Sequence, residues 1–253
     1  MSDTYSAVDR SGDVGAAVDW QDRIDGWPQI DAYKQRTYEL LGDRRPVLDV
    51  GCGTGHDLVP IGTGAFGVDV SLAMCERARD RALCVTRGDA ARLPFASGSC
   101  AGARADRVLQ HVADPAASVA ELVRVTRPGG RVVVSDPDQG TLLIEVPGAS
   151  RELVLRVTEL RREIGYRNGS YARSLPRMCS DAGLVDITVD AFPLVLTDPD
   201  DAFGLPTWVE YWRAEGPFGE REQAQWATAM RRARERPGFV FALLYLVVSG
   251  ARP

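Results

Sequence analysis

A short apolar run that ends in an acid and opens at once into three glycines limits most strongly what this chain can become. Val47 to Asp57 reads VLDVGCGTGHD. The run Val47–Val50 has the length and composition of a buried parallel strand, and Gly51, Gly53 and Gly55 open a turn into a helix. Glycines at these places let the backbone turn sharply and a ligand lie against it without a Cβ clash. A dinucleotide site asks for GxGxxG with a pyrophosphate at the helix N-terminus. Here the third glycine comes one residue early, and no GxxxxGK[ST] loop for a nucleoside triphosphate is present.

The strand-then-helix rhythm repeats. The sequence predicts strands over 65–70, 83–87, 101–105 and 131–135, with helices over 30–41, 72–82 and 119–125. The Pro128-Gly129-Gly130 turn enters the fifth strand, and Asp114-Pro115 reads as a helix start. Such alternation predicts an α/β fold built on a parallel sheet with right-handed crossovers. The last third differs. Leu153, Val157, Leu160 and Ile164 mark one face of an amphipathic helix, and 171–182 forms another. Segments 186–196 and 239–248 read as strands, separated by about forty residues, too many for a simple hairpin loop. That insertion, 198–238, carries Trp208, Tyr211 and Trp212 at i, i+3 and i+4.

Composition narrows the class. The 253 residues, 45% hydrophobic and 26% charged, suit a soluble globular chain with a sizeable core. Of 30 basic residues 29 are arginine, Lys34 being the one lysine. Arginine forms bidentate pairs with phosphate that lysine cannot, although the codon usage of a GC-rich genome explains the skew without any function. A net charge of -5 has the wrong sign for a general nucleic-acid binder. Five scattered cysteines (52, 75, 84, 100 and 179) without CxxC spacing suggest free thiols in a reducing cytosol, and no metal site. The start MSDTYSAVDRSGDVG lacks a signal-peptide pattern and its first fifteen residues read as mobile. The longest apolar stretch, Phe239 to Val248, is far short of the roughly 20 residues that span a bilayer. The expected location is cytoplasmic, with no membrane and no nucleic-acid partner.

Three further features join the glycine loop. Asp69 ends the second strand, where a carboxylate can accept two ribose hydroxyl bonds. Gly88-Asp89-Ala90 closes the third, and Leu93-Pro94-Phe95 with Arg127-Pro128-Gly129-Gly130 completes the series. With these motifs the chain resembles the class I S-adenosylmethionine-dependent methyltransferases, of the ubiquinone and menaquinone C-methyltransferase group. The resemblance is strongest over Tyr33 to Asp138. ADRVLQHV (105–112) and the DPD at 136–138 resemble more particularly bacterial natural-product methyltransferases that act on small molecules.

The resemblance implies a Rossmann-like three-layer sandwich with a seven-stranded, mostly parallel sheet whose last strand inserts antiparallel, and a helical cap. It implies one domain over 1–253, comprising an N-terminal helical cover (1–42), a cofactor-binding core (43–140) and a C-terminal part (141–253) with the cap insertion. S-adenosylmethionine would run past Asp49, Gly51, Cys52 and Gly53 with its methionine part. Asp69 would hold the ribose, Val70 would pack near the adenine, and Asp89 and Ala90 would meet the adenine itself. Arg104 and Ala105, continuing to Asp106, would line the methionine carboxylate side. Two departures stand out: Cys100-Ala101 replaces the family's Phe-Asp pair, predicting looser packing at the start of the fourth strand. The segment between Gly55 and Asp69 is short, implying a clipped first helix or loop.

Methyl transfer is an in-line displacement, so positioning supplies much of the rate. A base is needed only where the acceptor must lose a proton. His111, after the fourth strand, is a candidate base or a cofactor-wall residue; His56 follows the glycine loop. Asp136 and Asp138 are alternative carboxylates or caps of the next helix. The acceptor pocket is expected from Tyr33, Trp208, Tyr211 and Trp212, with Tyr5, Trp20 and Trp27 on the N-terminal segment. These aromatics serve equally as the cap's own core. Arg173 and Arg213 are candidate partners for an acidic acceptor. The expected acceptor is a small, aromatic or polyketide-like metabolite methylated on O, N or C, by a monomer or homodimer. A cyclase or lyase that binds the same cofactor without methylating is the alternative. A non-catalytic cofactor-binding protein and a nicotinamide dehydrogenase fit the loop and the GDA segment less well.

Overall fold

A computed structural model of the chain describes residues 9, 14–164, 166–211 and 218–253, apart from the side chains at 163, 164, 210 and 211. Two helices, α1 (Val14–Asp25) and α2 (Pro28–Leu41), precede β1 (Val47–Val50). There follow α3 (Leu58–Ile61), β2 (Ala65–Asp69), α4 (Leu72–Asp80), β3 (Val85–Arg87), β4 (Cys100–Asp106), α5 (Pro115–Val125) and β5 (Thr126–Glu145). The last third holds α6 (Arg151–Ile164), α7 (Leu175–Asp181), β6 (Val185–Leu196), α8 (Leu205–Tyr211), α9 (Glu220–Glu235) and β7 (Val240–Ala251).

The seven strands form one sheet in the order β3-β2-β1-β4-β5-β7-β6. β1 to β5 run parallel, and β7, last in the chain, inserts antiparallel to both β5 and β6. This is the Rossmann-like α/β architecture. β1 and β4 are buried at every position because helices cover both faces of the sheet centre; their residues are apolar or small except Asp49, Arg104 and Asp106, which are buried as ion pairs. Cys100 and Ala101 are as buried as the rest of β4, but the β4–β5 register shifts between Cys100 and Gly102. The start of β4 is thus irregular in pairing rather than loose in packing.

From β1 the chain steps outward to β2 and β3, then returns to β4 and β5 on the other side. The crevice for a ligand lies where that order reverses, beyond the carboxyl ends of β1 and β4. Gly51 turns the chain there at φ 69°; a Cβ on it would stand 2.3 Å from a Val108 methyl. Only glycine permits both that conformation and that approach. The short segment after the loop is used by α3, a single four-residue turn.

Two apolar layers sandwich the sheet. One gathers Ile30, Val157, Trp208, Trp226 and Phe241 from α2, α6, α8, α9 and β7. The other gathers Leu48, Ala103, Leu122, Leu175 and Val248. α8 and α9 lie between β6 and β7, within the predicted insertion, and their tryptophans join the first layer. No helix among the described residues is long and apolar enough to cross a membrane.

Candidate functional site

A cavity of about 310 Å³ opens at the carboxyl ends of β1, β2 and β4, with Gln21, Ile24 and Asp25 of α1 on one wall. At one end stand Asp69, Val70, Asp89 and Ala90; in the middle lie Gly51, Cys52 and Gly53. Asp69 is fixed by two backbone donors: the Gly53 N–H reaches Oδ2 and the Ser71 N–H reaches Oδ1, both at 2.8 Å. Burial raises its pKa and those bonds pull it back down. Gly53, at φ 53°, has nothing closer to a would-be Cβ than Gln21 Cγ at 3.7 Å, so a side chain there would occupy the cavity.

Beneath the loop lies a buried charge cluster drawn from four segments. Lys34 Nζ donates to Asp25 at 2.9 Å and Asp57 at 2.8 Å. Arg104 donates to Asp49 at 2.8 Å, Asp57 at 3.0 Å and the Thr37 hydroxyl at 2.9 Å. Arg107 pairs with Asp25 and, at 3.5 Å, with Asp106. It sits at φ 57°, an uncommon conformation for a non-glycine residue that turns its guanidinium back over the cavity wall. Burial raises the Asp57 pKa, but Arg104 and Lys34 overcome this and hold it far below the usual carboxylate range. Asp49 lacks a second cation, and burial lifts it to about 6 against the pull of Arg104.

The other end of the cavity is walled by His111, Gln139, Arg161, Tyr166, Phe203 and Tyr245. Tyr245 and Leu243 reach it from β7, and Pro137 and Gln139 from β5, two residues apart in each case, as one face of a strand requires. The His111 ring lies 5.6 Å from that of Tyr166.

The structure brings most of the residues expected from sequence to this cavity. Gly51, Cys52, Gly53, Asp69, Val70, Asp89, Ala90, Arg104 and His111 line it; Asp49 and Ala105 lie behind the wall, Asp49 bracing Arg104. Asp136 does not line it either. It is sealed on the opposite face of β5, accepting from the Leu109 N–H at 3.1 Å and the Tyr171 hydroxyl at 2.5 Å. Asp138 caps no helix, because its carboxylate is held by Arg173 at 2.8 Å; Arg173 is thereby occupied too. His56 is exposed outside the cavity. Tyr33 stacks behind Tyr245 at 4.4 Å, and Trp208 lies behind Arg161, so both support the wall rather than form it. Trp20 and Trp27 pack edge to face at 6.0 Å. Tyr211 falls at the end of α8 with its side chain undescribed, and Tyr5, Trp212 and Arg213 lie outside the described residues.

Sequence reasoning missed Asp25, Arg107, Arg161, Tyr166 and Tyr245. A signal existed for Arg161. Leu153 and Val157 of the stripe read from sequence are buried and Leu160 packs against the core, while Val154, Thr158 and Arg161 are buried beside them, so the inward face of α6 is wider than the one read and takes in Arg161.

Comparison with known proteins agrees with this geometry. Residues 48–134 match the Methyltransf_11 family, described as a methyltransferase domain. The chain is 36% identical over 255 residues to an uncharacterized 37.1 kDa protein in transposon TN4556 of Streptomyces fradiae, covering 93% of this chain and 72% of that protein. It is 38% identical over 111 residues to the demethylmenaquinone methyltransferase of Beutenbergia cavernae, covering 41% of this chain and 46% of that enzyme. The chain belongs to the class I S-adenosylmethionine-dependent methyltransferases. Its cofactor is S-adenosylmethionine, and the glycine cradle and carboxylate pair at the cavity's first end suit that molecule. A solved S-adenosylmethionine-dependent methyltransferase from Thermotoga maritima has the same fold, with a TM-score of 0.55, 20% identity and 87% coverage of each chain. The alignment with the Beutenbergia enzyme spans under half of that protein.

Proposed function

We propose that the protein methylates a small, aromatic-bodied metabolite. The observation that carries this reading is the continuity of one cavity from Asp69 and Asp89, past the glycine loop, to an aromatic-walled end at Tyr166, Phe203 and Tyr245. In this reading Asp69 accepts the ribose hydroxyls, Asp89 and Ala90 border the adenine, and Gly51 to Gly53 leave room for the methionine part. When bound, the cofactor supplies a methyl carbon on a sulfonium, open to in-line attack. The protein's part is to hold the acceptor in line and keep water out, with α1 closing one wall. Where the acceptor must shed a proton, His111 is the candidate base that stands on the wall, whereas Asp136 is sealed away from it. The demethylmenaquinone methyltransferase likeness supports an aromatic acceptor of quinone type.

Incubation with methyl-labelled cofactor and a panel of phenols, quinones and aromatic acids tests the reading. The expected product is heavier than its acceptor by one methylene and carries the label; a rearranged product of unchanged mass would instead support the cyclase alternative. Asp69→Asn should weaken S-adenosylhomocysteine binding about tenfold in calorimetric titration, the loss of a charged acceptor facing two hydroxyls. Unchanged affinity would remove Asp69 from the cofactor site.

A further inference from the structure

Arg161 is the one buried basic side chain of the cavity wall that no carboxylate of the described residues neutralises. Arg104 and Arg107 on the same wall each meet two or more aspartates within 4 Å, and so does Lys34 beneath it. Arg161, only 3% exposed, has Gln139 Oε1 at 3.3 Å from Nε and the Tyr166 hydroxyl at 3.0 Å from Nη2. Nη1 makes no hydrogen bond among the described residues. The guanidinium is otherwise surrounded by rings, with Trp208 at 3.7 Å and Tyr166, Phe241 and Phe203 at 5.2, 5.3 and 5.9 Å. Such a cage fixes the plane of the guanidinium and excludes water from it, yet aromatic faces compensate a desolvated charge only in part. Burial accordingly pushes the pKa of Arg161 down to about 10, still well on the charged side at neutral pH. A buried cation kept at that cost calls for an anion from outside.

We propose that Arg161 recognises a carboxylate carried by the acceptor, which narrows the acceptor class to aryl or arylalkyl acids. This rests on the reading of the cavity as the site of methyl transfer. Arg161 stands over β5 and β7, through Gln139, Phe241 and Tyr245, whereas Asp69 ends β2. Three to four inter-strand steps of about 4.8 Å separate them, roughly 14–19 Å. The adenosine end and Arg161 therefore lie at opposite ends of the cavity, and the anion that Arg161 meets belongs to the second substrate. A single guanidinium matches one negative charge. Its free N–H groups on Nη1 and the second N–H of Nη2 offer the planar fork that a carboxylate accepts. A phosphate dianion would leave charge uncompensated against Asp25 and Asp106 on the neighbouring wall.

The test uses the full chain saturated with S-adenosylhomocysteine, whose own titration reports independently on the methyltransferase reading. Matched probes are then titrated: 3-phenylpropanoate, cinnamate and 4-hydroxybenzoate, each beside its carboxamide, with phenyl phosphate as a further arm. The acid should bind about tenfold or more tightly than its amide for at least one pair. Arg161→Gln should erase that preference while S-adenosylhomocysteine affinity stays at the wild-type value, and Arg161→Lys should restore part of it. The proposal is overturned if the cofactor product binds and no acid binds more tightly than its amide. It is likewise overturned if the preference survives in Arg161→Gln, or if phenyl phosphate binds more tightly than every acid. The comparison of acid with amide on the wild-type protein decides the matter even where a variant folds poorly. Failure of S-adenosylhomocysteine itself to bind would overturn the cavity assignment and this proposal with it.

Discussion

Asp136 is wholly buried, and while its Oδ2 accepts from Leu109 and Tyr171, its Oδ1 has no partner among the described residues. Burial lifts its pKa to about 8; the Tyr171 hydrogen bond opposes this and the nearby Asp106 adds to it. A carboxyl raised in the folded state keeps a proton that the unfolded chain gives up near its usual pKa of 3.8. Its contribution is fully present below that value and is lost as pH rises through about 8. Asp136→Asn preserves an acceptor for Tyr171 and removes the titration. In chemical denaturation across pH 4 to 9 the variant's stability should gain on wild type with rising pH, by on the order of 1–3 kcal/mol at the alkaline end. Parallel curves would show that Asp136 does not titrate in that range. Its placement also shows where sequence reading stopped. Asp136 reads as the residue just past the end of a strand and therefore as a mouth residue, but β5 runs beyond the end of β4 and continues to Glu145 along β7. Strand alternation then sends Pro137 and Gln139 to the cavity and Asp136 to the opposite face. No local residue type announces that β5 runs on, because the extension is held by pairing with β7, more than a hundred residues away.

At the scale of elements, the glycine loop and α2 are legible, and the contacts by which α1 and α2 brace the loop are not. Gly51 follows β1, Asp69 ends β2 and Asp89 comes two residues after β3, so spacing alone places them at one sheet edge. Asp25, Lys34 and Asp57 come from α1, α2 and the loop before α3, and only packing joins them. The lone lysine is conspicuous in composition. Its role needs a compact cation that donates to Asp25 and Asp57 and lies 3.9 Å from Asp106, which a planar guanidinium suits less well. Asp57 is the node shared by two of these elements and β4: it accepts from Lys34, from the Tyr38 hydroxyl at 2.5 Å and from Arg104. Asp57→Asn leaves Lys34 and Arg104 buried with one carboxylate fewer. The loss should be about 3–5 kcal/mol, read as a lower denaturant midpoint at unchanged slope. A loss under about 1 kcal/mol would mean that water or rearranged aspartates replace the missing charge.

Across the whole molecule, the two apolar layers hold the sheet, and α1 adds polar ties at the cavity rim to the apolar contacts of its Ile24 and Val18. Asp22 takes the Thr54 hydroxyl at 2.5 Å on one oxygen and Arg81 at 2.7 Å with Arg77 at 3.1 Å on the other. Thr54 belongs to the glycine loop, and Arg77 and Arg81 lie in and just beyond α4, so one partly exposed carboxylate fastens α1 to both edges of the cofactor end. Gln21, Ile24 and Asp25 on the same helix form the cavity wall. Global stability and cavity closure therefore rest on different groups. Exposed ion pairs contribute little to the first, roughly 0–1 kcal/mol, whereas α1 walls the cavity and its position is therefore expected to set how readily a ligand leaves. Asp22→Ala should shift the unfolding free energy by no more than about 1 kcal/mol while speeding S-adenosylhomocysteine dissociation about threefold or more in stopped-flow displacement. Equal dissociation rates would place the gate elsewhere than α1, and a loss of stability as large as that of Asp57→Asn would make α1 part of the folding core rather than a closure of the cavity.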